Sequence, residues 1–214
     1  MKALIGELVS SNPNLTNEST PDHKEHSWFH QIDPSILNRI KLSAKHHEPW
    51  EIRLEEQEFI KWRSALNEHI LQADGASKGN PGLAGSGGVI IDVTGRIILN
   101  FSWGLGKKTN NAAEILAIWQ GITQARALSI KKLAIISDSR ITIQALILKK
   151  APNNMELTHI YRKVSLKIKE FEEVKFFHVL RHLNHLADHE ANLGVKLNKG
   201  ELSLNGSIIH VTIP

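Results

Sequence analysis

The chain contains no cysteine among its 214 residues, which excludes a disulfide framework and a thiolate metal site. It also has no apolar run near the ~18 residues that a membrane-spanning helix needs. The segment 1–10 is too short and too weakly basic for a secretory signal. We therefore expect an intracellular protein, nuclear or cytoplasmic, without a membrane partner. The sequence leaves the oligomeric state undetermined.

Net charge is divided unevenly along the chain. Residues 1–69 carry 8 Lys and Arg against 11 Asp and Glu, whereas residues 70–214 carry 18 against 11. The resulting charge of +7 makes residues 70–214 the expected binding region for a polyanion, although a mild positive charge is also common on soluble domains. Four basic pairs, expected either to contact phosphates or to lie solvated, are Lys107-Lys108, Lys131-Lys132, Lys149-Lys150 and Arg162-Lys163.

The first 67 residues show little regular pattern. The polar stretch 10–23 predicts loop or disorder. A short helix is predicted at 54–66, with one face formed by Phe59, Trp62 and Leu66. Trp28, Trp50 and Trp62 are interpreted as packing residues, with anchoring on a partner as the alternative. We predict an N-terminal appendage at 1–67, a main domain at 68–200 and a C-terminal tail at 201–214.

From residue 69 onward the pattern becomes regular. Strands are predicted at 69–77, 87–93 and 96–103, with a hairpin turn at Thr94-Gly95 between the last two. A helix at 111–128, a strand at 133–137, helices at 141–148 and 155–171, a strand at 174–180 and a helix at 184–197 follow. This order predicts an α/β fold. It has a mixed five-stranded sheet, with a three-strand antiparallel meander, two parallel strands and helices on both faces.

Four carboxylates stand in sharply defined places along this pattern. Asp74 is predicted to end the first strand, before a turn rich in Gly and Pro, and Asp138 to end the strand at 133–137. Glu114 lies near the start of the first helix and Asp188 one turn into the last helix. Because ligands of open α/β sheets bind at the carboxyl ends of the strands, we expect these acids to converge at one edge.

Each acid also has a purely structural explanation. Glu114 stands three residues after Asn111, which is the spacing of a capping box, and Asp138 precedes Ser139 in a position to cap the next helix. Asp188 suits a helix N-terminus and Asp74 suits a turn. Four acids at one edge, however, need a compensating cation, and hard oxygen ligands favour Mg²⁺ or Mn²⁺.

His178 is predicted at the end of the last strand, ten residues before Asp188. A histidine at the rim of a carboxylate site can transfer a proton, whereas packing is the alternative for a histidine in a strand. His182, His185 and His189 are interpreted as solvated or packing residues, because no Glu or Cys completes a zinc site with them.

These motifs together resemble the type 1 ribonuclease H family, in particular the reverse-transcriptase-associated domains of plant retroelements. The resemblance covers roughly residues 68–200. Its motifs are Asp74–Gly82, Thr109–Glu114, Ser137–Ser139, and His178 with Asn184 and Asp188, accompanied by Gly85–Gly88 and Phe101–Gly106. Several motifs in the family's order are far more specific than a single Gly pattern.

The resemblance implies an endonuclease that cuts the RNA strand of an RNA–DNA hybrid with two divalent ions. It implies metal binding by Asp74, Glu114, Asp138 and Asp188, proton transfer or product release at His178, and substrate contacts from Asn80, Thr109, Asn110 and Asn111. Arg140 is a departure, because bacterial members often carry Gln there as a minor-groove contact. Another departure is that no long basic helix is inserted between Asp138 and His178.

Two rival functions are weighed against this one. A 3′–5′ exonuclease of the same fold group usually opens with Asp-x-Glu, whereas this chain has Asp74-Gly75-Ala76. A catalytically silent, domesticated nucleic-acid-binding module is the other rival, and the presence of all four acids argues against it.

Overall fold

The computed structural model describes residues 49–214. The loop or disorder predicted at 10–23, and the interpretation of Trp28, lie outside the described residues. In chain order the elements are β1 (Glu51–Ile52), α1 (Glu56–Ser64), β2 (His69–Gly79), β3 (Gly82–Ile91), β4 (Ile97–Lys108), α2 (Asn110–Ala127), β5 (Lys132–Ser137), α3 (Arg140–Leu148), α4 (Met155–Ile168), β6 (Glu173–Val179), a 3₁₀ turn (Arg181–Asn184), α5 (His185–Gly194), β7 (Glu201–Leu204) and β8 (Ser207–His210).

The strands form a single mixed sheet in the order β1-β6-β5-β2-β3-β4-β7-β8. Strands β2, β3 and β4 are an antiparallel meander, and β5 and β6 join it in parallel. The predicted α/β fold and its five central strands are confirmed. Three short strands at the sheet's two edges, β1, β7 and β8, were not predicted.

Both faces of the sheet are buried, as an alternating pattern in β5 shows. Leu133 and Ile135 pack into one apolar cluster with α2, α3 and α4, whereas Ala134 and Ile136 pack into a second cluster with α1 and the segment that leads into α5. Because successive strand residues point to opposite faces, this division places helices on each side of the sheet. The predicted two-sided arrangement is therefore confirmed.

Residues on either side of the predicted main domain also join its core. Phe59, Trp62 and Leu66 are buried beneath one face of the sheet, so the short helix predicted at 54–66 is present as α1. At the other edge β7 pairs with β4, and β8 pairs with β7. The domain boundaries at 67 and 200 remain predictions, but both the sheet and the core extend past them.

Asp74 does not lie at a strand end, contrary to the prediction for that residue, and the strand also passes the end predicted for it at 77. Strand β2 runs five residues further, to Gly79, because β3 continues to pair with it from Gly75↔Ser86 to Gly79↔Gly82. The Gly- and Pro-containing turn therefore comes at Asn80-Pro81. On its other side, β2 pairs with β5 only as far as Gln72↔Ile136. Asp74 consequently lies just beyond the ends of the parallel pairing.

Two helices are shorter than predicted. Helix α4 ends at Ile168 rather than at 171, and the helix predicted at 184–197 is present as α5, which ends at Gly194 and follows the 3₁₀ turn Arg181–Asn184. Within residues 49–214, no helix combines the length and the apolar character required to cross a membrane.

Candidate active site

Asp74 is brought to the site by the close approach of α2 to β2. The side chain is 4% exposed, and its Oδ1 accepts a hydrogen bond from the Gly75 backbone N–H at 2.8 Å. A Cβ atom at Gly75 would lie 2.2 Å from the backbone nitrogen of Glu114. Only glycine therefore lets the start of α2 lie against β2, which places Glu114 beside Asp74.

The start of α2 is fixed by three of the predicted substrate-binding residues. Thr109 is the N-cap and accepts a hydrogen bond from the Ala112 N–H, while Asn80 Oδ1 accepts one from the Asn110 N–H at 3.1 Å. Asn110 in turn donates its side-chain amide to Glu114 Oε1 at 3.0 Å. A capping box between Asn111 and Glu114, the structural alternative, is therefore wrong, because the cap is Thr109.

Asp138 follows the last residue of β5, as predicted. Its Oδ1 accepts a hydrogen bond of 2.9 Å from Asn184 Nδ2, and the same amide nitrogen lies 3.1 Å from the Ala73 carbonyl oxygen. Asn184 thus connects Asp138 to β2 beside Asp74. Helix α3 has Ser139 as its N-cap, so the alternative of Asp138 as a helix cap is wrong.

Carboxylate oxygens of Asp74, Glu114 and Asp138 lie within 4.8 Å of one another. Burial, together with the charge of Asp138, raises the pKa of Asp74 to about 7. Burial, together with the charges of Asp74 and Asp138, raises the pKa of Glu114 to about 8. The cause is the same in both cases: the carboxyl group is poorly solvated and lies beside other acids, which disfavours its ionised form.

This acidic cluster fits a divalent cation. Glu114 Oε2 is buried without a hydrogen-bond partner among residues 49–214, and leaving such an oxygen unsatisfied is costly. A hard cation bound by oxygen ligands would satisfy this atom and offset the repulsion among the three carboxylates. Within residues 49–214 this is the one group of three metal-ligating side chains, so the alternative zinc site at His182, His185 and His189 is not formed.

Asp188 lies apart from the cluster, in the first turn of α5. Its Oδ1 accepts a hydrogen bond from Arg181 Nη2, and its Oδ2 accepts one from Asn192 Nδ2, both at 3.0 Å. The charge of Asp188 nevertheless contributes to the raised pKa of Asp74. The structure therefore brings three of the four predicted metal ligands together. The fourth, Asp188, is hydrogen-bonded to Arg181 instead.

His178 lies on β6, next to the end of β5, where it pairs in register with Ser137. Its Nε2 is 3.1 Å from the Asp138 carbonyl oxygen, which can only accept, so Nε2 carries the proton. Its backbone N–H donates to the Trp50 carbonyl, and the two rings meet edge to face with centroids 6.3 Å apart. Desolvation lowers the pKa of His178, which favours a neutral imidazole.

Residues from outside the predicted main domain also reach this edge. Trp50 is 3% exposed and packs on His178, while Glu51 is 4% exposed and forms an ion pair with Arg140. Burial makes Trp50 and Trp62 packing residues, as interpreted. The only sequence signal for β1 is the alternation of Trp50, Ile52 and Leu54. Because the strand has two residues, this alternation is too short to identify it.

Comparison with known proteins agrees with this geometry. The family model described as "Reverse transcriptase-like" matches residues 72–194. An Arabidopsis thaliana protein provisionally named as a ribonuclease H protein is 30% identical over 145 residues, which cover 67% of this chain and 23% of that protein. Other curated relatives, from mycobacteria, are 29% identical and are matched over 34% of their length. The chain thus spans about a third or less of these relatives.

Solved structures share the fold. The crystal structure of ribonuclease H1 from Halobacterium salinarum is 27% identical, with a TM-score of 0.58, and the match covers 60% of this chain and 97% of that one. LC11 ribonuclease H1, solved in complex with an RNA/DNA hybrid, is 24% identical, with a TM-score of 0.57 and coverage of 60% and 97%. On the match to residues 72–194, the chain belongs to the Reverse transcriptase-like family, and its fold is that of ribonuclease H.

Proposed function

We propose that this protein is an endonuclease that hydrolyses the RNA strand of RNA–DNA hybrids with two divalent ions, Mg²⁺ or Mn²⁺. The observation that carries the proposal is the cluster of Asp74, Glu114 and Asp138, whose oxygens lie within 4.8 Å in a ribonuclease H fold. The ribonuclease H names of the relatives and the hybrid bound to LC11 ribonuclease H1 support the substrate class. The family model supports a retroelement-type origin.

The acids have the role of holding the ions. Asp74, Glu114 and Asp138 supply the shared oxygens, and Asp188 joins them when Arg181 releases it. Bound divalent ions would supply an activated water and stabilise the leaving oxygen of a phosphodiester. Asn184 keeps Asp138 in place through its amide, so that the carboxylate does not have to be reoriented.

The asparagines at the start of α2 divide into two groups. Asn110 donates to Glu114, so its role is to orient that carboxylate. Asn80 accepts a hydrogen bond from the Asn110 N–H through its Oδ1, so its amide nitrogen remains able to donate to substrate. Asn111 is exposed and can also contact substrate. These side chains, with Thr109 at the cap, supply the donors and acceptors that a reader of the 2′-hydroxyl requires.

His178 is proposed to move a proton or to assist product release. With Nε2–H bonded to the Asp138 carbonyl, Nδ1 is the nitrogen able to accept a proton. Because the pKa of His178 lies below its ordinary value, the ring is neutral near pH 7 and ready to accept.

The test is a cleavage assay on an internally labelled hybrid with Mg²⁺ and with Mn²⁺, beside matched DNA duplex and RNA duplex. Internal cuts confined to the RNA strand of the hybrid, and abolished by EDTA, support the proposal. Trimming from an end would indicate the exonuclease, and metal-dependent binding without any cut would indicate the silent binding module. Equal cutting of DNA duplex and hybrid would contradict the proposed 2′-hydroxyl reading.

A further inference from the structure

A buried carboxylate from β1 lies under an exposed guanidinium at the rim of the active site. The Glu51 side chain is 1% exposed, whereas that of Arg140 is 58% exposed, and Arg140 Nε is 2.7 Å from Glu51 Oε1. Glu51 stands opposite His178 in the parallel pairing of β1 with β6. It comes from the segment before residue 68 and lies outside the residues that the family model matches.

Burying a carboxylate in this way is costly unless a charged partner compensates it. Arg140 supplies such a partner, because its Nε lies 2.7 Å from Glu51 Oε1, a full ångström nearer than Arg53 Nη2 lies to Glu51 Oε2 at 3.7 Å. The Nε side of the Arg140 guanidinium is thereby paired with a buried negative charge. This pairing restrains the guanidinium, whose two terminal nitrogens still carry four N–H groups.

Arg140 is also suitably placed to meet a nucleic acid. It is the first residue of α3 and comes two residues after Asp138, so it stands at the rim of the acidic cluster. A phosphodiester bound at Asp138 would therefore lie close to the helix start that carries this exposed cation. A guanidinium fork suits phosphate oxygens and base edges, provided that its orientation is set in advance.

We propose that Glu51 is a positioning residue that holds the Arg140 guanidinium in the orientation that binds the RNA–DNA hybrid. This inference rests on the proposed function for its substrate class. It makes the short strand β1 a part of the substrate-binding surface, although the strand precedes the family-matched region.

The direction in which Glu51→Gln changes the Kd for hybrid distinguishes a positioning role of Glu51 from a purely electrostatic effect of its charge. The variant Glu51→Gln removes a negative charge, so electrostatics alone would tighten hybrid binding. Positioning predicts the opposite. We expect the Kd for a short hybrid, measured in Ca²⁺ or EDTA to prevent cleavage, to rise at least threefold in Glu51→Gln. In Arg140→Gln we expect a rise of about tenfold, the scale of one lost charge-assisted hydrogen bond.

A double-mutant cycle tests whether Glu51 acts through Arg140. The double variant should bind hybrid no more weakly than Arg140→Gln alone, because the group being positioned is already absent. Arg53→Gln is the matched control, since Arg53 also flanks Glu51 but lies 1 Å further from it than Arg140 does, and its Kd should change less than twofold. Additive losses in the double variant would overturn the proposal.

One further variant, Arg140→Lys, keeps the test decisive if Glu51→Gln folds poorly, and one spectroscopic measurement adds to it where Glu51→Gln folds. Arg140→Lys changes an exposed residue, keeps its charge and loses the fork, so its Kd should approach that of Arg140→Gln. The Nε NMR signal of Arg140 should shift between the wild type and folded Glu51→Gln, whether or not hybrid is present, because the carboxylate paired with Nε is lost.

The outcomes distinguish this inference from the proposed function. A wild type that cuts hybrid, together with a folded Glu51→Gln that binds it equally or more tightly, overturns the positioning role alone. An Arg140→Lys variant that binds like the wild type would do the same. A wild type that neither binds nor cuts hybrid overturns the proposed function and this inference with it.

Discussion

Arg181 Nη2 donates a hydrogen bond of 3.0 Å to Asp188 Oδ1, and Asp188 lies outside the acidic cluster. The arginine side chain is 80% exposed, so the pair lies near solvent and is weakly stabilising. Asp188 is the one predicted metal ligand that does not lie among the other three. The pair therefore competes with any cation that would recruit Asp188 into the site.

Replacing Arg181 with Gln should strengthen the binding of Mg²⁺ or Mn²⁺. An exposed ion pair is worth up to about 1 kcal/mol, so the gain in metal affinity should be at most about fivefold. Isothermal titration calorimetry, or electron paramagnetic resonance of Mn²⁺, measures this affinity without activity. The matched control is Arg96→Gln, which breaks another exposed Arg–Asp pair in the turn between β3 and β4. Equal or weaker metal binding in Arg181→Gln would show that Asp188 is not restrained by Arg181.

Asp138→Asn should fold normally and lose cleavage. Asn at position 138 can still accept the hydrogen bond from Asn184, so the local structure has little reason to change. The substitution removes a charge from the cluster, and we expect a fall in kcat of at least about 100-fold, the scale of losing one group that stabilises developing charge. Hybrid cleavage under saturating metal, with a thermal melt as the folding control, checks this. Turnover near the wild-type rate would remove Asp138 from the site.

The acidic cluster should make the metal-free protein less stable at higher pH. Burial and neighbouring carboxylates raise the pKa of Asp74 to about 7 and that of Glu114 to about 8, whereas the unfolded chain has ordinary carboxyl pKa values near 4. Between these values the folded state binds more protons than the unfolded state. The stabilisation is therefore complete below about pH 4 and is lost as the pH rises through 7 to 8.

Urea unfolding in EDTA at several pH values between 5 and 9 measures this effect. Glu114→Gln removes the proton with the highest of these pKa values, so the variant should lose less stability than the wild type over this range. Saturating Mg²⁺ should reduce the wild-type dependence, because a bound cation favours the ionised carboxylates. A wild type and a Glu114→Gln variant with the same pH slope would contradict the assigned cause.

His178→Ala should lower kcat with little change in KM. The ring lies beside the Asp138 carbonyl and Trp50, so its loss would remove the proposed proton carrier without removing a carboxylate. General acid–base assistance is worth ~10²–10⁴-fold, and a tenfold deficit is the least that would support this role. Metal affinity should stay within about twofold of the wild type. A stable variant with unchanged kcat would make His178 a packing residue.

The central sheet and three of the four acids were predictable because long regular strands and helices leave a periodic pattern. Asp138 after β5 and Glu114 on α2 lie as expected, and Asp74 lies at the expected edge although its strand runs on to Gly79. What could not be predicted depends on individual side-chain hydrogen bonds. Neither the pairing of Asp188 with Arg181 nor the two bonds from the Asn184 amide leave a periodic signal.

The short edge strands escaped prediction for a related reason. Strand β1 has two residues, and β7 and β8 have four each, which is too few for an alternating pattern to stand out. Their position is fixed by pairing with strands that are themselves already part of the sheet. The role of Glu51 therefore becomes visible only when β1 is placed beside β6.

Trp62→Ala should destabilise the whole domain rather than an independent appendage. Trp62 is 1% exposed and meets Phe177 of β6 edge to face, with ring centroids 4.9 Å apart. Truncating a buried Trp costs about 3–5 kcal/mol through lost transfer energy and the cavity left behind. Urea unfolding should show this loss in one transition followed by both fluorescence and circular dichroism. Met155→Ala, at a residue that is 87% exposed, should change stability by less than about 0.5 kcal/mol.

A shortened chain that begins at Glu58 should therefore fail for structural reasons. It lacks Trp50, all of β1 and the first two residues of α1. Part of the apolar cluster around Phe177 and Val179 of β6 is lost with them, so these two side chains become less buried. We expect a broad unfolding transition, exposed apolar surface detected by dye binding, and loss of hybrid affinity together. A chain beginning at 49 keeps these elements and is the matched control; it should melt cooperatively. If the chain beginning at Glu58 melted as cooperatively as that control and lost only hybrid affinity, residues 49–57 would serve binding alone, and their packing beneath the sheet would contribute little to the fold.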